Sequence, residues 1–501
     1  MPPKDYLRAR DDAAVSKDES FCAMIDGAPY FPNLVVGVRQ ASSPALVEER
    51  DNSINKIIKH LIMILQTTAA DKGGENATTA TASSPLQLDS SSWTVTPVTG
   101  GNTNQLFCVS GIHCNENKNN DSDFQFPNDS LLVRLFGADG MIDRDAETST
   151  YASLAQQQLA LKYYGRFGNG RIEEMLVGWT TLTEDDLMGK QPALPLELAP
   201  LLPPVDLNER IARELARLHA TYELPPHLML ESEQEGSGKT NNNVAANGPS
   251  LLPEPTLWTQ LYPWLERSLK AEFQTDRDTE RAHHGLDPPL SSLKEEFDWL
   301  KSEVIGNNEG NDDNNNENEE NPPSAGIGFC HNDLLASNIM MLTRKAQTPS
   351  AVTESNTETN RLLLEGLRFI DFEYGGINYY AYDIANHFNE YAGGTAVEDD
   401  STPDYDRCPN DRQKKFFMEA YADEYNKAKL SSGSSNPETI TAEELGAMVD
   451  GFSLANHLVW GLWGVLQASS EGCEDGLDYL HYAKCRFDRY KHNKSEKYGT
   501  D

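Results

Sequence analysis

The sequence predicts an α+β fold of two lobes, a small β-rich N-terminal lobe and a larger, mostly helical C-terminal lobe. Three observations carry this. Strand and turn signals gather early, over Trp93–Val98, Gln105–Ser110, Leu131–Phe136 and Arg171–Val177. Apolar residues at helical spacing dominate the chain beyond them. In that later part stands Gly328-Phe-Cys-His-Asn-Asp-Leu-Leu-Ala-Ser-Asn338, which reads as apolar entry, polar loop and apolar exit into Ile339.

The 501 residues are long enough for two lobes, but only 38% are hydrophobic. The formal net charge is −36 and no basic stripe appears, which argues against nucleic acid and anionic membrane surfaces as partners. Seven cysteines are scattered without a C-x-x-C pair. With no apolar leader near Met1, they read as reduced thiols of a cytoplasmic protein. The longest strongly apolar run, near Leu458–Leu466, is too short to span a bilayer.

Taken in order, residues 1–28 are polar and read as a flexible extension before an N-terminal lobe over 29–178. Leu34–Val38 reads as a short strand. Ile54, Ile57, Ile58, Leu61, Ile62 and Leu65 make one helical stripe. Residues 67–84, rich in Thr, Ala, Gly and Ser, read as a connector. Gly100 and Gly101, followed by small polar residues to Asn104, form a turn whose backbone N–H groups can approach phosphate. An ordinary hairpin reading competes with this. Arg134 is a lone cation in an apolar strand, costly unless paired. Its pairing is a phosphate, or else it lies on an exposed strand face. Glu147 opens a helix and is placed to pair with Arg134, or simply favours the helix N-terminus.

The C-terminal lobe is expected over 179–493. Leu207, Ile211, Leu215 and Leu218 form its first helix, with Asp206 as N-cap. His219, at the end, reads as a packing residue. Leu257–Phe273 and three segments near 411–427, 441–468 and 475–491 read as helices. Polar insertions near 232–249, 307–325 and 345–360 read as disordered.

The loop holds His331, Asp333 and Asn338 in the spacing H-x-D-x4-N, and Phe369-Ile-Asp371-Phe-Glu-Tyr stands downstream. Phosphoryl transfer needs a carboxylate to accept the acceptor hydroxyl's proton and hard oxygens for Mg²⁺. Asp333 suits the first role, and Asn338 and Asp371 the second. His331 reads as structural, bonding backbone near Asp371. Trp460 and Trp463 share a helix face. With Tyr374, Tyr482, Glu373 and Glu390 they offer aromatic faces and carboxylates for an ammonium ion.

These stretches, with Tyr382-Asp-Ile384, Asn386-His-Phe-Asn-Glu390-Tyr-Ala-Gly393 and Trp460-Gly-Leu-Trp463, resemble the choline/ethanolamine kinase family. The Asp-Leu-Leu loop, Ala381-Tyr-Asp-Ile and Asn-Glu-Tyr-Ala-Gly look more like its ethanolamine kinases. The resemblance implies a protein-kinase-like fold related to aminoglycoside phosphotransferases. It implies transfer of the ATP γ-phosphate to ethanolamine, the first step of the CDP-ethanolamine route to phosphatidylethanolamine, with Asp333 as base and Asn338 and Asp371 on Mg²⁺. It places Gly100, Gly101, Asn104, Arg134, Glu174 and Leu176 at ATP, and Glu390, Tyr374, Trp460, Trp463 and Tyr482 at the amine. A homodimer is a further expectation. Alternatives are a choline or dual kinase, and a catalytically inactive kinase-like scaffold.

Overall fold

A computed structural model describes residues 4–16, 18–37, 43–71, 90–98, 104–113, 126–137, 142–189, 206–225, 253–305, 326–342, 366–395, 400–432, 439–470 and 476–499. They divide into two compact units, Met1–Trp179 and, beyond it, Thr180–Arg344 with Thr348–Asp501. Gly100, Gly101 and the three polar insertions lie outside the described residues.

The first unit begins with α1 (Lys4–Ser16), β1 (Ala23–Ile25), β2 (Ala28–Phe31) and α2 (Pro44–Asp71). It continues with β3 (Thr94–Val98), β4 (Gln105–Ser110), β5 (Ser130–Leu135), α3 (Arg144–Gln156), β6 (Tyr163–Phe167) and β7 (Gly170–Glu174). The seven strands form one sheet in the order β1-β2-β6-β7-β5-β4-β3. All pairs are antiparallel except β2 with β6. Ile54, Ile57, Ile58, Leu61 and Ile62 on α2 are buried with Val109, Leu131, Val133 and Ile172 of the sheet, so the helical stripe meets the strand alternation in one core.

Three expectations for the first unit are corrected. The extension over 1–28 holds α1, β1 and the start of β2. Its polar average hides a stripe, Tyr6, Ala9 and Ala13, that is buried. The Tyr6 hydroxyl donates to Asp26 at 2.8 Å, and its ring packs edge-on to Tyr30 at 5.3 Å. The expected strand over 34–38 is absent among the described residues, and the strand lies earlier, at Ala28–Phe31. Pro32, which lacks an N–H for the ladder, comes directly after it. Leu34 and Val36 still enter the core. Thr67 and Thr68, read as connector, are helical, their hydroxyls donating back to the Ile64 carbonyl at 2.8 Å.

The second unit opens with β8 (Trp179–Thr181) and contains α4 (Glu184–Leu187), α5 (Leu207–Thr221), α6 (Thr256–Leu269), α7 (Asp276–His284) and α8 (Leu293–Trp299). Then come β9 (Ile327–Cys330), β10 (Ile339–Leu342), β11 (Leu367–Phe369), β12 (Gly376–Tyr379) and α9 (Tyr380–Asn389). Three long helices finish it, α10 (Asp411–Ser431), α11 (Ala442–Ser469) and α12 (Tyr479–Tyr498). The strands form two small sheets, β11-β10-β8 and β12-β9. Asp206 caps α5 by accepting from Asn208 N at 2.8 Å. Thr441 and Glu444 form a capping box that starts α11. From Leu454 to Leu466 every residue of α11 is buried, so this helix is the centre of the unit rather than an amphipathic surface.

Candidate active site

The site is built on two short loops. One joins β9 to β10 and carries His331, Asp333 and Asn338. The other comes after β11 and carries Asp371. Asn332 and Asp371 both have positive φ, 65° and 62°. Non-glycine residues hold this conformation only when surroundings fix them, and such positions cluster at functional sites. Here the fixing groups are visible. Asp383, buried on α9, accepts the backbone N–H of His331 and of Asn332, each at 2.7 Å. His219 Nε2 lies 3.0 Å from Asp383, its Nδ1 lies 2.6 Å from the Tyr421 hydroxyl, and its ring stacks on Tyr380 at 4.5 Å. His387 Nδ1 bonds the Leu334 carbonyl at 2.9 Å. Burial depresses the His387 pKa to about 4, so this ring is neutral at physiological pH.

His331 Nε2 lies 2.9 Å from the carbonyl of Ile370, the residue before Asp371, and Ile370 N donates to the Asn338 carbonyl at 2.9 Å. One histidine and one backbone bond therefore tie the two loops together. Asn338 Nδ2 donates to the Asp333 carbonyl at 2.8 Å and to its carboxylate at 3.2 Å. Its Oδ1 has no protein partner among the described residues, which leaves an amide oxygen for a cation.

Asp333 is buried, and its carboxyl is pushed well above the usual range. Burial is the main cause, then the charges of Glu390, Glu373 and Asp371, while the Asn338 bond pulls the other way. The Asn338 amide oxygen and the Asp371 carboxylate are hard oxygens of the kind that would hold Mg²⁺, although among the described residues no three of these four acids bring their ligand atoms within 4.8 Å of one another.

Next to these acids is an aromatic wall. Tyr374 and Trp460 meet edge-to-face at 5.3 Å, Trp460 and Trp463 at 5.7 Å, and Trp463 and Tyr482 at 6.0 Å. The indole N–H groups are engaged: Trp460 Nε1 donates to Asn386 at 2.8 Å and Trp463 Nε1 to the Tyr374 hydroxyl at 3.0 Å. Burial, and the nearby charges of Glu390 and Asp333, hold the Tyr482 hydroxyl protonated against the pull of Arg486. The structure thus brings Asp333, Glu390 and the ring of Tyr482 into one electrostatic neighbourhood.

Sequence reasoning missed the residues that support this wall. Arg486, fully buried on α12, donates to Glu390 at 3.1 Å and to Asn456 at 2.7 Å. Asn456 in turn donates to Asn386 at 2.7 Å. Trp264 and Tyr479 add rings beside Tyr374 and Trp463. The cue used for Arg134, a cation amid apolar neighbours, does not mark Arg486, which stands in sequence beside Lys484, Asp488 and Arg489. His219, Cys330 and Asp383 present ligand atoms within 4.8 Å of one another. They are already spent on hydrogen bonds, Cys330 Sγ to the Asn378 carbonyl at 3.5 Å among them, so the group is structural.

The first unit holds the remaining candidates. Arg134 is buried, not on an exposed strand face, and its Nε donates to Glu173 at 2.9 Å. Arg171 bridges Glu173 at 2.5 Å and Glu147 at 2.6 Å, and Arg144 donates to Glu147 at 2.8 Å. Arg134 is also among the cations that hold the Glu147 carboxyl low. Glu173 and Arg171 were not foreseen as the centre of this network. Asn104 is buried and accepts from Gly137 N at 3.3 Å. Glu174 ends β7, and Leu176 lies just beyond it, partly buried.

Among the described residues no helix is long and apolar enough to cross a membrane. Residues 95–491 match the family model for choline/ethanolamine kinase. Similar proteins include probable choline kinase 2 of Arabidopsis thaliana, 27% identical over 80% of this chain and 86% of that one. Human ethanolamine kinase 1 is 28% identical over 74% of this chain and 63% of that one, so the match spans less than two thirds of the human protein. Among solved structures, a Plasmodium vivax ethanolamine kinase has the same fold (TM-score 0.54, 21% identity, 91% of this chain and 92% of that one). A choline kinase from Cryptosporidium parvum is similar as well (TM-score 0.50, 21% identity, 82% and 92%). With a match over most of its length and the motif residues gathered in one fold, this chain belongs to the choline/ethanolamine kinase family.

Proposed function

We propose that the protein transfers the γ-phosphoryl group of ATP to the hydroxyl of ethanolamine. The observation that carries this reading is the buried carboxylate of Asp333, held by Asn338 on a loop that His331 ties to the Asp371 loop. A carboxylate whose pKa is raised accepts a proton more readily, and Asp333 is the group that takes it from the acceptor hydroxyl. Asn338 orients Asp333 through its amide N–H. Asn338 and Asp371 hold Mg²⁺, which when bound neutralises phosphate charge. Asn104, Arg134, Glu174 and Leu176, with Gly100 and Gly101, are assigned to ATP, and Arg134 supplies a fixed guanidinium for its phosphates.

For the amine, Glu390 supplies the counter-charge, and Tyr374, Trp460, Trp463 and Tyr482 supply π faces. A primary ammonium carries three N–H donors, which a carboxylate and tyrosine oxygens satisfy, whereas a trimethylammonium carries none. The Asp-Leu-Leu loop and the Asn-Glu-Tyr-Ala-Gly run also favour ethanolamine. Relatives carrying either name match at 27–28% identity, which makes choline the second reading. The test is ATP consumption with Mg²⁺ and ethanolamine, choline or no acceptor, with Asp333→Asn as control. A higher kcat/KM for ethanolamine, lost in the control, is expected. Turnover on choline alone would transfer the assignment to the second reading. No turnover on either amine would favour an inactive scaffold.

A further inference from the structure

A cavity of about 60 Å³ lies in the second unit, and none of the site residues assigned above lines it. It is enclosed by α9, α10, α11, α12 and the turn at Tyr405–Cys408. That volume holds about four to six waters, or one tetrahedral oxyanion. Its polar lining includes Lys414, Arg489, Asn493, His457 and Tyr405.

This lining has donors in excess of acceptors. Arg489 lies over the Tyr405 ring at 4.8 Å and pairs with no carboxylate among the described residues. Lys414 reaches one acid, Asp450, at 3.5 Å, and Asp450 also takes Lys497 at 3.1 Å. Among the buried acids, Glu390 is already bound by Arg486. His457 is 1% exposed, and its Nδ1 has no hydrogen-bond partner. The Asn493 amide likewise has none among the described residues. Leaving a buried polar nitrogen unpaired is costly. An uncompensated guanidinium is also unexpected in a chain whose net charge is −36. Cations act at Cys408 too: burial raises that thiol, Arg489, Arg486 and Lys414 pull it down, and Glu390 adds a smaller upward push.

We propose that this cavity is a binding site for a small phosphate-type oxyanion, with Arg489, Lys414, His457 and Asn493 as its donors. A guanidinium, an ammonium, a ring N–H and an amide N–H match the acceptors of a tetrahedral anion better than those of a planar carboxylate. The volume takes the phosphate group alone, so any substituent of a phosphomonoester extends outside.

The test is calorimetric titration of the full chain at fixed ionic strength, with inorganic phosphate in one arm and O-phosphoethanolamine in the other. Saturable one-to-one binding is expected. Arg489→Gln should weaken it by about tenfold or more, since a charge-assisted bond is lost. Asn493→Ala should weaken it less. Lys484→Gln, on the same helix but paired with Asp488, should leave it unchanged. Thermal melts confirm that each variant is folded. Binding weakened by Arg489→Gln in the phosphate arm alone identifies a free anion as ligand, and binding weakened by Arg489→Gln in both arms identifies a phosphomonoester, since O-phosphoethanolamine bound as product at the active site would not respond to that change. Absence of saturable binding, or equal affinity in wild type and Arg489→Gln, overturns the proposal, the second outcome indicating that phosphate binds elsewhere. The readout is independent of turnover, so it is separate from the kinase reading.

Discussion

The protein buries carboxylates in two places and treats them in opposite ways. In the first unit, Glu147 and Glu173 lie among Arg134, Arg144 and Arg171. Burial alone would raise the Glu173 carboxyl, but Arg134 and Arg171 bring it down to about 2. In the second unit, Asp333 is equally buried, yet its neighbours are Glu390, Glu373 and Asp371, and its carboxyl is pushed well above the usual range. Burial is common to both, so the sign is set by the charges alongside. The first arrangement pairs its acids with arginines, whereas the second sets Asp333 among other acids.

The largest expected effect breaks the second cluster. Asp333→Ala should lower kcat by about 10²–10⁴-fold, the usual worth of a positioned general base. Because the mutation removes one of several mutually repelling acids, thermal unfolding should shift little, or upward. A collapsed melt would reassign Asp333 to structure.

Glu173→Gln tests the first cluster and should behave in reverse. It leaves Arg134 and Arg171 short of a charge, and breaking such a buried pair costs about 3–5 kcal/mol. Chemical denaturation measures this. An unchanged stability would mean that Arg171 re-pairs fully with Glu147.

The pH dependence sharpens the contrast. Glu173 has a folded pKa near 2, below its ordinary value of 4.5. Its stabilisation is therefore full above about 4.5 and is lost as pH falls toward 2. Asp333 has the opposite sign: its folded pKa is raised, so its charged form opposes folding at neutral pH, and this penalty is relieved as pH falls. Denaturation of Glu173→Gln and Asp333→Asn from pH 7 to 3 should show a flatter acid loss for the first and a steeper one for the second.

A smaller effect concerns the amine. Glu390→Gln should raise KM for ethanolamine by roughly tenfold, the worth of an ion-pair contribution of about 1–2 kcal/mol. Arg486 would lose its carboxylate partner, so a melt must accompany the assay. Equal changes for ethanolamine and choline would show that Glu390 reads charge and not N–H donors.

Much of this was legible in the chain. The alternation over Thr94–Leu135 gave β3 to β5, and the stripes at Ile54–Leu65 and Leu207–Leu218 gave α2 and α5. His331, Asp333, Asn338 and Asp371 were found because they sit on two short, separately readable stretches. The helix α1 was missed because a stripe of Tyr6, Ala9 and Ala13 is faint against charged neighbours. The strand β6 was missed because Tyr163–Phe167 has little alternation to display.

By itself the sequence determined several of the elements, the motif residues and the family, because these depend on local spacing. Only the tertiary structure decided who neutralises whom. Asp383 reaches back 52 residues to His331 and 164 to His219, and Arg486 reaches back 96 to Glu390. Local periodicity carries no information at such separations. A buried charge is tolerated only beside the particular partner that packing delivers, and that packing is a property of the whole fold.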